Sequence, residues 1–267
     1  MPENERFKEW FNSPYYQKLY FNSGGDELKT FLPKLCSHIG IKSNAKILDA
    51  ACGTGMNAIT LANSGQVTGV DISPENINQA LQHSSESTQF FLHDLRLPFW
   101  GNYFDYIFIL SSNFGFYRTR REHDAATRTI SRALKPNGFF VLDYLNVHFT
   151  EDNLKPFESK TIDDVKFEIE HSQDNDNFYR KIKIIDAAMP EPVEFIEQKA
   201  KFSFGDVTDM MSFQGLQVRE VFGNYDLAPY DVKASPRMII IAEKARVDGE
   251  DKEKRLYSDG RKTDALT

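Results

Sequence analysis

Apolar residues in the first half of the chain fall in short dense runs separated by stretches with helical spacing. The runs cover 45–49, 66–71, 88–94, 104–110 and 139–146. Between them, Ala58, Ile59, Leu61 and Ala62 recur at helical intervals, as do Ala126, Ile130, Ala133 and Leu134. Pro74 suits the first turn of a helix running to about Gln82. An earlier helix is expected over 26–41, where Leu28, Phe31, Leu32, Leu35 and Ile39 share a face and Pro33 lies inside. Five strands alternating with helices predict right-handed βαβ units and a parallel sheet.

The pattern changes after residue 150. Over 159–204 apolar and polar residues alternate, with turn signals at 173–177 and 189–192. This predicts a three-stranded antiparallel insert built on Val165-Phe167-Ile169, Tyr179-Ile182-Ile184 and Phe195 to Phe204. Asp206 and Asp209 read as a capping pair for a short helix over 206–214. Strands over 216–222 and 237–243 have no helix between them, so they close the sheet as an antiparallel unit. The expected fold is α/β: a Rossmann-like seven-stranded sheet, mostly parallel with an antiparallel last strand, plus the small β insert. The expected organisation is an N-terminal helical region (1–44), a core (45–150 and 205–245), the insert (151–204) and a charged, mobile tail (246–267). Two readings stand for the N-terminal aromatics, a helix packed on the domain or a lid. Two stand for the insert, a roof over a substrate or a dimer contact.

The chain has 267 residues, 40% of them hydrophobic, enough for one sizeable core. A net charge of -7 argues against a nucleic-acid surface built on bulk positive charge. Cys36 and Cys52 are the only cysteines, which fits a reducing cytoplasm and neither a zinc site nor a disulfide framework. There is no signal-peptide core and no run long enough to span a membrane. A monomer or homodimer without a metal is expected.

The chemistry concentrates at strand ends. Asp49 closes the first strand, and Gly53 and Gly55 follow, where a backbone without Cβ can turn sharply near a ligand. Asp71 ends the second strand, placed to accept both hydroxyls of a ribose. Asp94 ends the third, placed to accept from an exocyclic amine while Leu95 packs on a flat ring. Ser111 to Tyr117, following a buried strand, mixes polar and aromatic residues as a substrate pocket does. The glycine segment alone also fits a nicotinamide-binding turn.

Taken together, Asp49-Ala50-Ala51-Cys52-Gly53-Thr54-Gly55, Asp71, Asp94-Leu95 and the Leu134 to Phe139 turn resemble the class I S-adenosylmethionine-dependent methyltransferases. The resemblance covers 45–146 and the closing strand pair at 216–244. The family often has glycine where Ala51 stands. The resemblance implies S-adenosylmethionine as cofactor and S-adenosylhomocysteine as product. It implies that Asp49 reaches the amino group of the methionine end and that Asp71, beside Ile72, holds the ribose. Asp94 and Leu95 then serve the adenine, the post-strand substrate loop falls on Leu110 to Tyr117 with Leu110 and Ser111 on the cofactor, and Tyr16 and Tyr20 cover the methionine end. A nicotinamide site has no ammonium for Asp49 to meet, and its sheet lacks the antiparallel pair. A non-catalytic cofactor binder is the remaining alternative.

The expected reaction is methyl transfer to N or O of a small molecule by in-line displacement, which asks for placement and dryness more than for a nucleophilic triad. Asn113, Phe114, Tyr117, Tyr144, Asn146, Tyr225 and Arg237 are the candidates for lining the acceptor pocket. Arg237 has a structural alternative, holding the connection to the last strand. Tyr117, His123 and His148 are the candidate bases, needed only if the acceptor arrives protonated.

Overall fold

A computed structural model describes residues 9–21 and 26–246. Apart from Arg246, the tail expected at 246–267 lies outside the described residues. So do residues 1–8.

The chain opens with helices α1 (Pro14–Phe21) and α2 (Asp26–Ile39), the latter carrying Pro33 inside it. Then come β1 (Ala45–Ala50), α3 (Met56–Leu61), β2 (Gly65–Asp71), α4 (Pro74–Ala80), β3 (Thr88–Leu92) and β4 (Phe104–Ile109). The helix α5 (Arg120–Ala133) leads into the long β5 (Leu134–Leu145), followed by α6 (Val147–Asp152). Four strands form next: β6 (Phe157–Ile162), β7 (Val165–Gln173), β8 (Asn177–Ile185) and β9 (Val193–Ala200). The chain then returns to the core through α7 (Phe204–Phe213), β10 (Leu216–Phe222) and β11 (Arg237–Lys244).

The main sheet has seven strands in the order β10-β11-β5-β4-β1-β2-β3. All pairings from β3 to β5 are parallel, and β11 runs antiparallel to both β5 and β10. The order reverses between β1 and β4, and at such a switch point the strand ends open a crevice. Helices cover both faces, so the central strands are apolar on both sides. Ile47, Tyr106, Phe108, Val141, Ile239 and Ile241 meet α2 and α3 on one face. Leu48, Ile107, Ile109, Phe140, Leu142 and Ile240 meet α5 and α7 on the other. The twofold side-chain period of a strand explains this alternation.

The insert has four strands, in the order β6-β7-β8-β9, rather than the three expected. The missed strand, β6, is an edge strand with the sequence Phe-Glu-Ser-Lys-Thr-Ile, exposed along most of its length, and so carries no buried alternation. Phe202 to Phe204 is not part of a strand. Phe202 packs in the core, and Ser203 caps α7 through a reciprocal pair with Asp206, one turn earlier than the Asp206/Asp209 pairing expected. The N-terminal segment packs on this second sheet. Trp10, Tyr16 and Leu19 join Val165, Phe167, Ile169, Ile182 and Ile184 in a separate apolar cluster. Among the described residues no helix is long and apolar enough to cross a membrane.

Candidate active site

Two cavities meet over the switch point. The smaller, about 630 Å³ with its open mouth, is lined by Ala51 and Gly53 from the β1–α3 loop and by Val70, Asp71 and Ile72 at the tip of β2. His93 and Leu95 border it beyond β3, and Phe11, Tyr16, Phe116 and Tyr117 enclose it. The larger, about 1480 Å³ on the same measure, lies between the core and the second sheet. Tyr16, Asn113 and Phe116 line both, so one space opens into the other.

The loop that floors the smaller cavity depends on unusual backbone. Ala51, Gly53 and Gly55 all have positive φ, at 60°, 55° and 85°. Ala51 is the strained one, because a Cβ disfavours that region. The Asp71 carboxylate braces the loop from the next strand by accepting from the Gly53 N–H at 2.9 Å. It also accepts from the Ser73 N–H at 2.9 Å and from Asn76 Nδ2 at 3.3 Å. Burial nevertheless raises its pKa, against the pull of these donors.

Asp49 lies beneath the loop, 1% exposed. Its Oδ2 has no hydrogen-bond partner among the described residues. Desolvation and the nearby Asp71 push its pKa up to about 8. A buried carboxylate with an unmatched oxygen is what a cationic ligand group would stabilise.

The β4 end is equally specific. Ser111 and Ser112 both sit at φ 57°, two left-handed non-glycine residues in succession. They are held by Asp143, at the end of β5 and wholly buried. Its Oδ2 accepts from the Ser111 N–H at 2.8 Å and the Tyr225 hydroxyl at 2.9 Å, and its Oδ1 from Arg237 Nε at 2.6 Å. Arg237 also donates from Nη2 to Ser112 Oγ at 3.2 Å. Tyr225 and Arg237 therefore support the loop from behind and line neither cavity; Tyr225 departs from the pocket-lining expectation, whereas Arg237 takes the structural of its two readings. Farther along, Gly115 has φ 92°, and a Cβ there would lie 2.2 Å from the Tyr144 hydroxyl.

Other expected residues are also placed elsewhere. Tyr144 is fully buried and donates to the Ala200 carbonyl at 2.6 Å, tying β5 to the end of β9. Asn146 is buried and donates to the carbonyls of Val232 and Ser235, which shapes the connection to β11. Phe114 packs inward against His123, Tyr144 and Phe202. His123 is buried among those rings with its Nδ1 against the Thr119 carbonyl, and burial lowers its pKa. His148 is exposed on α6 near Glu151. Neither histidine lines either of these two cavities. Tyr117 does, on the side of Leu95, with burial raising its pKa to a value unsuited to a base. Asp94 is engaged by Arg96, which donates to it from Nε and Nη2 and reaches on to Glu122. The residues that border the cavity there are its neighbours, His93 and Leu95. Gly55 caps α3 against Phe90, and Leu110 is buried beside the loop, whereas Ser111 and Tyr20 line the larger cavity.

The sequence leaves the insert open between a roof and a dimer contact, and names none of the side chains it presents to the cavity. His171, Arg180 and Glu197 are paired across β7, β8 and β9, with Phe178 and Lys199 paired in the next row on the same face. All five line the larger cavity. Glu197, 7% exposed, accepts from Trp10 Nε1 at 2.6 Å and from the Tyr20 hydroxyl at 2.6 Å, and lies 3.4 Å from Arg180. It thereby fastens the N-terminal segment to the roof. Tyr15 adds a bond to Asp186 at 2.9 Å. Toward the core, Ser73 Oγ donates to Asn12 Oδ1 at 2.6 Å, and Gln17 Nε2 to Asn76 Oδ1 at 3.3 Å. The period-two run Phe178, Arg180, Ile182 with Phe195, Glu197, Lys199 was the available signal.

Residues 47–138 match the family described as Methyltransferase domain. A Bacillus subtilis (strain 168) protein named "Putative methyltransferase YqeM" is 33% identical over 107 residues, 39% of this chain and 43% of that protein. The demethylmenaquinone methyltransferase of Staphylococcus aureus (strain JH9) is 30% identical over 136 residues, 48% of this chain and 55% of that one. The chain thus spans about half the length of the curated relatives it matches. In overall fold it is similar to an S-adenosylmethionine-dependent methyltransferase from Clostridium acetobutylicum ATCC 824, with a TM-score of 0.73 at 16% identity over 87% of this chain and 97% of that one. Residues 47–138 thus match a methyltransferase domain, and the seven-stranded sheet that contains them shares the fold of that structure.

Proposed function

We propose that this protein is an S-adenosylmethionine-dependent methyltransferase acting on N or O of a small molecule held beneath the second sheet. The observation that carries the reading is the pair of joined cavities. One lies over the glycine loop and the Asp71 tip, and the other is closed by a separate sheet.

The residues fit the cofactor. Asp71 presents a carboxylate to ribose hydroxyls, and Val70, Ile72, Leu95 and Tyr117 offer apolar surface to a flat purine. Asp49 holds an unmatched oxygen for the ammonium of the methionine end. Bound there, S-adenosylmethionine supplies a methyl group on a sulfonium, with a neutral thioether as leaving group. The chain's task is placement and exclusion of water. Asp143 sets the Ser111-Ser112 backbone at the throat, Asn113 ties that loop to Ala51 through a 3.2 Å bond, and Tyr16 and Phe116 close it with apolar surface. The name of the Staphylococcus aureus relative supports a small-molecule acceptor. The two buried, unbridged cysteines support a reducing compartment such as the cytoplasm.

Calorimetric titration with S-adenosylmethionine, S-adenosylhomocysteine and NAD tests the cofactor, with binding of the first two expected. Binding of NAD alone would sink the reading. A screen for radiolabelled methyl transfer to small phenols, carboxylic acids and amines then separates an enzyme from a non-catalytic binder.

A further inference from the structure

Three charged side chains on β8 and β9 face the larger cavity: Arg180, Glu197 and Lys199. Glu197 is fully engaged, and Arg180 is ion-paired but keeps a buried Nε without a hydrogen-bond partner among the described residues. Glu197 Oε1 accepts from Trp10 and Tyr20, and its Oε2 from Tyr20 and Arg180. Arg180 lies 3.2 Å from Glu158 as well. Lys199 makes no ion pair among the described residues. Its Nζ donates to the Ser112 carbonyl at 2.7 Å and sits 4.3 Å from the centre of the Phe116 ring. Ser112 belongs to the strained loop at the end of β4, and Phe116 lines both cavities. The lysine therefore stands where the two spaces join, with N–H groups left over beyond the one given to Ser112.

Its surroundings favour an anion. Desolvation dominates and brings its pKa down to about 7; Arg180 and Arg237 add repulsion, while Glu197 and Asp143 oppose. A desolvated ammonium gains most from a negatively charged partner. By contrast, the one carboxylate lining this cavity is already held by three donors, leaving it poorly placed to receive an ammonium. Leu28, Leu145, Leu154 and Phe178 supply the apolar part of the lining.

We propose that Lys199 recognises the acceptor, and that the acceptor is an apolar, ring-sized small molecule bearing an acidic oxygen group, a carboxylate or phenolate, held at the Lys199 ammonium. This rests on the methyltransferase reading of the site.

The test uses the full chain saturated with S-adenosylhomocysteine and titrated calorimetrically with 4-hydroxybenzoate, its neutral amide and tyramine. The benzoate is expected to bind at least tenfold more tightly than the other two. Lys199→Met should abolish that preference, and Lys199→Arg should keep most of it. Equal binding of benzoate and amide, tightest binding of tyramine, no binding of any probe, or an unchanged Lys199→Met would each overturn the proposal. A second pair, S-adenosylhomocysteine against 5′-methylthioadenosine, asks whether Lys199 instead holds the cofactor's own carboxylate. Both should bind Lys199→Met as they bind wild type, which also shows that the variant is folded. A tenfold loss confined to S-adenosylhomocysteine would overturn the acceptor assignment. Wild type that fails to bind S-adenosylhomocysteine sinks the methyltransferase reading itself, whereas binding without anion preference sinks only this inference.

Discussion

The floor and the roof of the site are built on different principles. The floor is local in the chain: β1, the glycine loop and β2 lie within 45–71, and backbone conformation does most of the shaping. The roof is assembled from side chains on β7, β8 and β9 together with Trp10 and Tyr20 from the far end of the chain. Among the described residues, the floor leaves a carboxylate, Asp49, without a full set of partners, and the roof leaves an ammonium, Lys199, without an ion pair. The floor thus suits the cationic methionine end of a cofactor. The roof suits something of the opposite charge.

Breaking the roof should have the largest effect. Glu197→Ala leaves buried Trp10 Nε1 and the Tyr20 hydroxyl without their acceptor and Arg180 with Glu158 as its remaining carboxylate, and a stability loss of ~2–4 kcal/mol is expected by urea unfolding. Trp10 fluorescence should shift red as the N-terminal segment loosens. A loss under about 1 kcal/mol would mean that the knot is not what holds the two parts together.

On the floor, Asp71→Ala should weaken S-adenosylhomocysteine binding by ~1–3 kcal/mol, the scale of a lost charged hydrogen bond. Calorimetry on folded protein checks this. Its effect on stability should be smaller than that of Glu197→Ala, since the three donors it leaves are neutral and Asp49 loses a like-charged neighbour.

Asp49 sharpens the contrast through pH. Its carboxyl titrates near 8 in the folded chain and near the ordinary aspartate value when unfolded. Between those values the native state binds more protons than the unfolded one, so stability falls as pH rises from about 4 to about 8. Asp49→Asn removes that dependence and should be more stable than wild type at pH 8 by ~1–3 kcal/mol, read from urea unfolding at pH 5 and 8. The same substitution should weaken S-adenosylhomocysteine binding. In wild type, that binding should strengthen as pH rises toward 8, because the ammonium needs the ionised carboxylate. A variant that gained stability and kept its affinity would separate Asp49 from the cofactor.

The smallest effect is expected at Arg96. It is partly exposed where it bridges Asp94 and Glu122, so Arg96→Met should cost no more than about 1 kcal/mol.

The carboxylates divide according to what surrounds them. Asp49, Asp71 and Asp94 stand out alike in the sequence, each at or near a strand end. Asp94 has an arginine two residues on, and that guanidinium takes its carboxylate. Nothing comparable follows Asp71, which faces the cavity. The acceptor side diverged more. The sequence offers Tyr144, Asn146 and Tyr225 as substrate-facing, and Arg237 either as substrate-facing or as holding the connection to the last strand. Their partners, Ala200, Val232, Ser235, Asp143 and Ser112, come from loops and strands distant in the chain. Those contacts turn the four residues into braces.

The sequence by itself determined the parallel sheet, its antiparallel closing strand, the glycine loop and the Asp49–Asp71 pair. These features depend on periodicity and on backbone freedom, which are written locally. Only the tertiary structure decided that the insert is a four-stranded roof, that the N-terminal helix is fastened to it through Glu197, and that Lys199 reaches the throat. A contact between residues 10 and 197 depends on long-range packing, which no local pattern specifies.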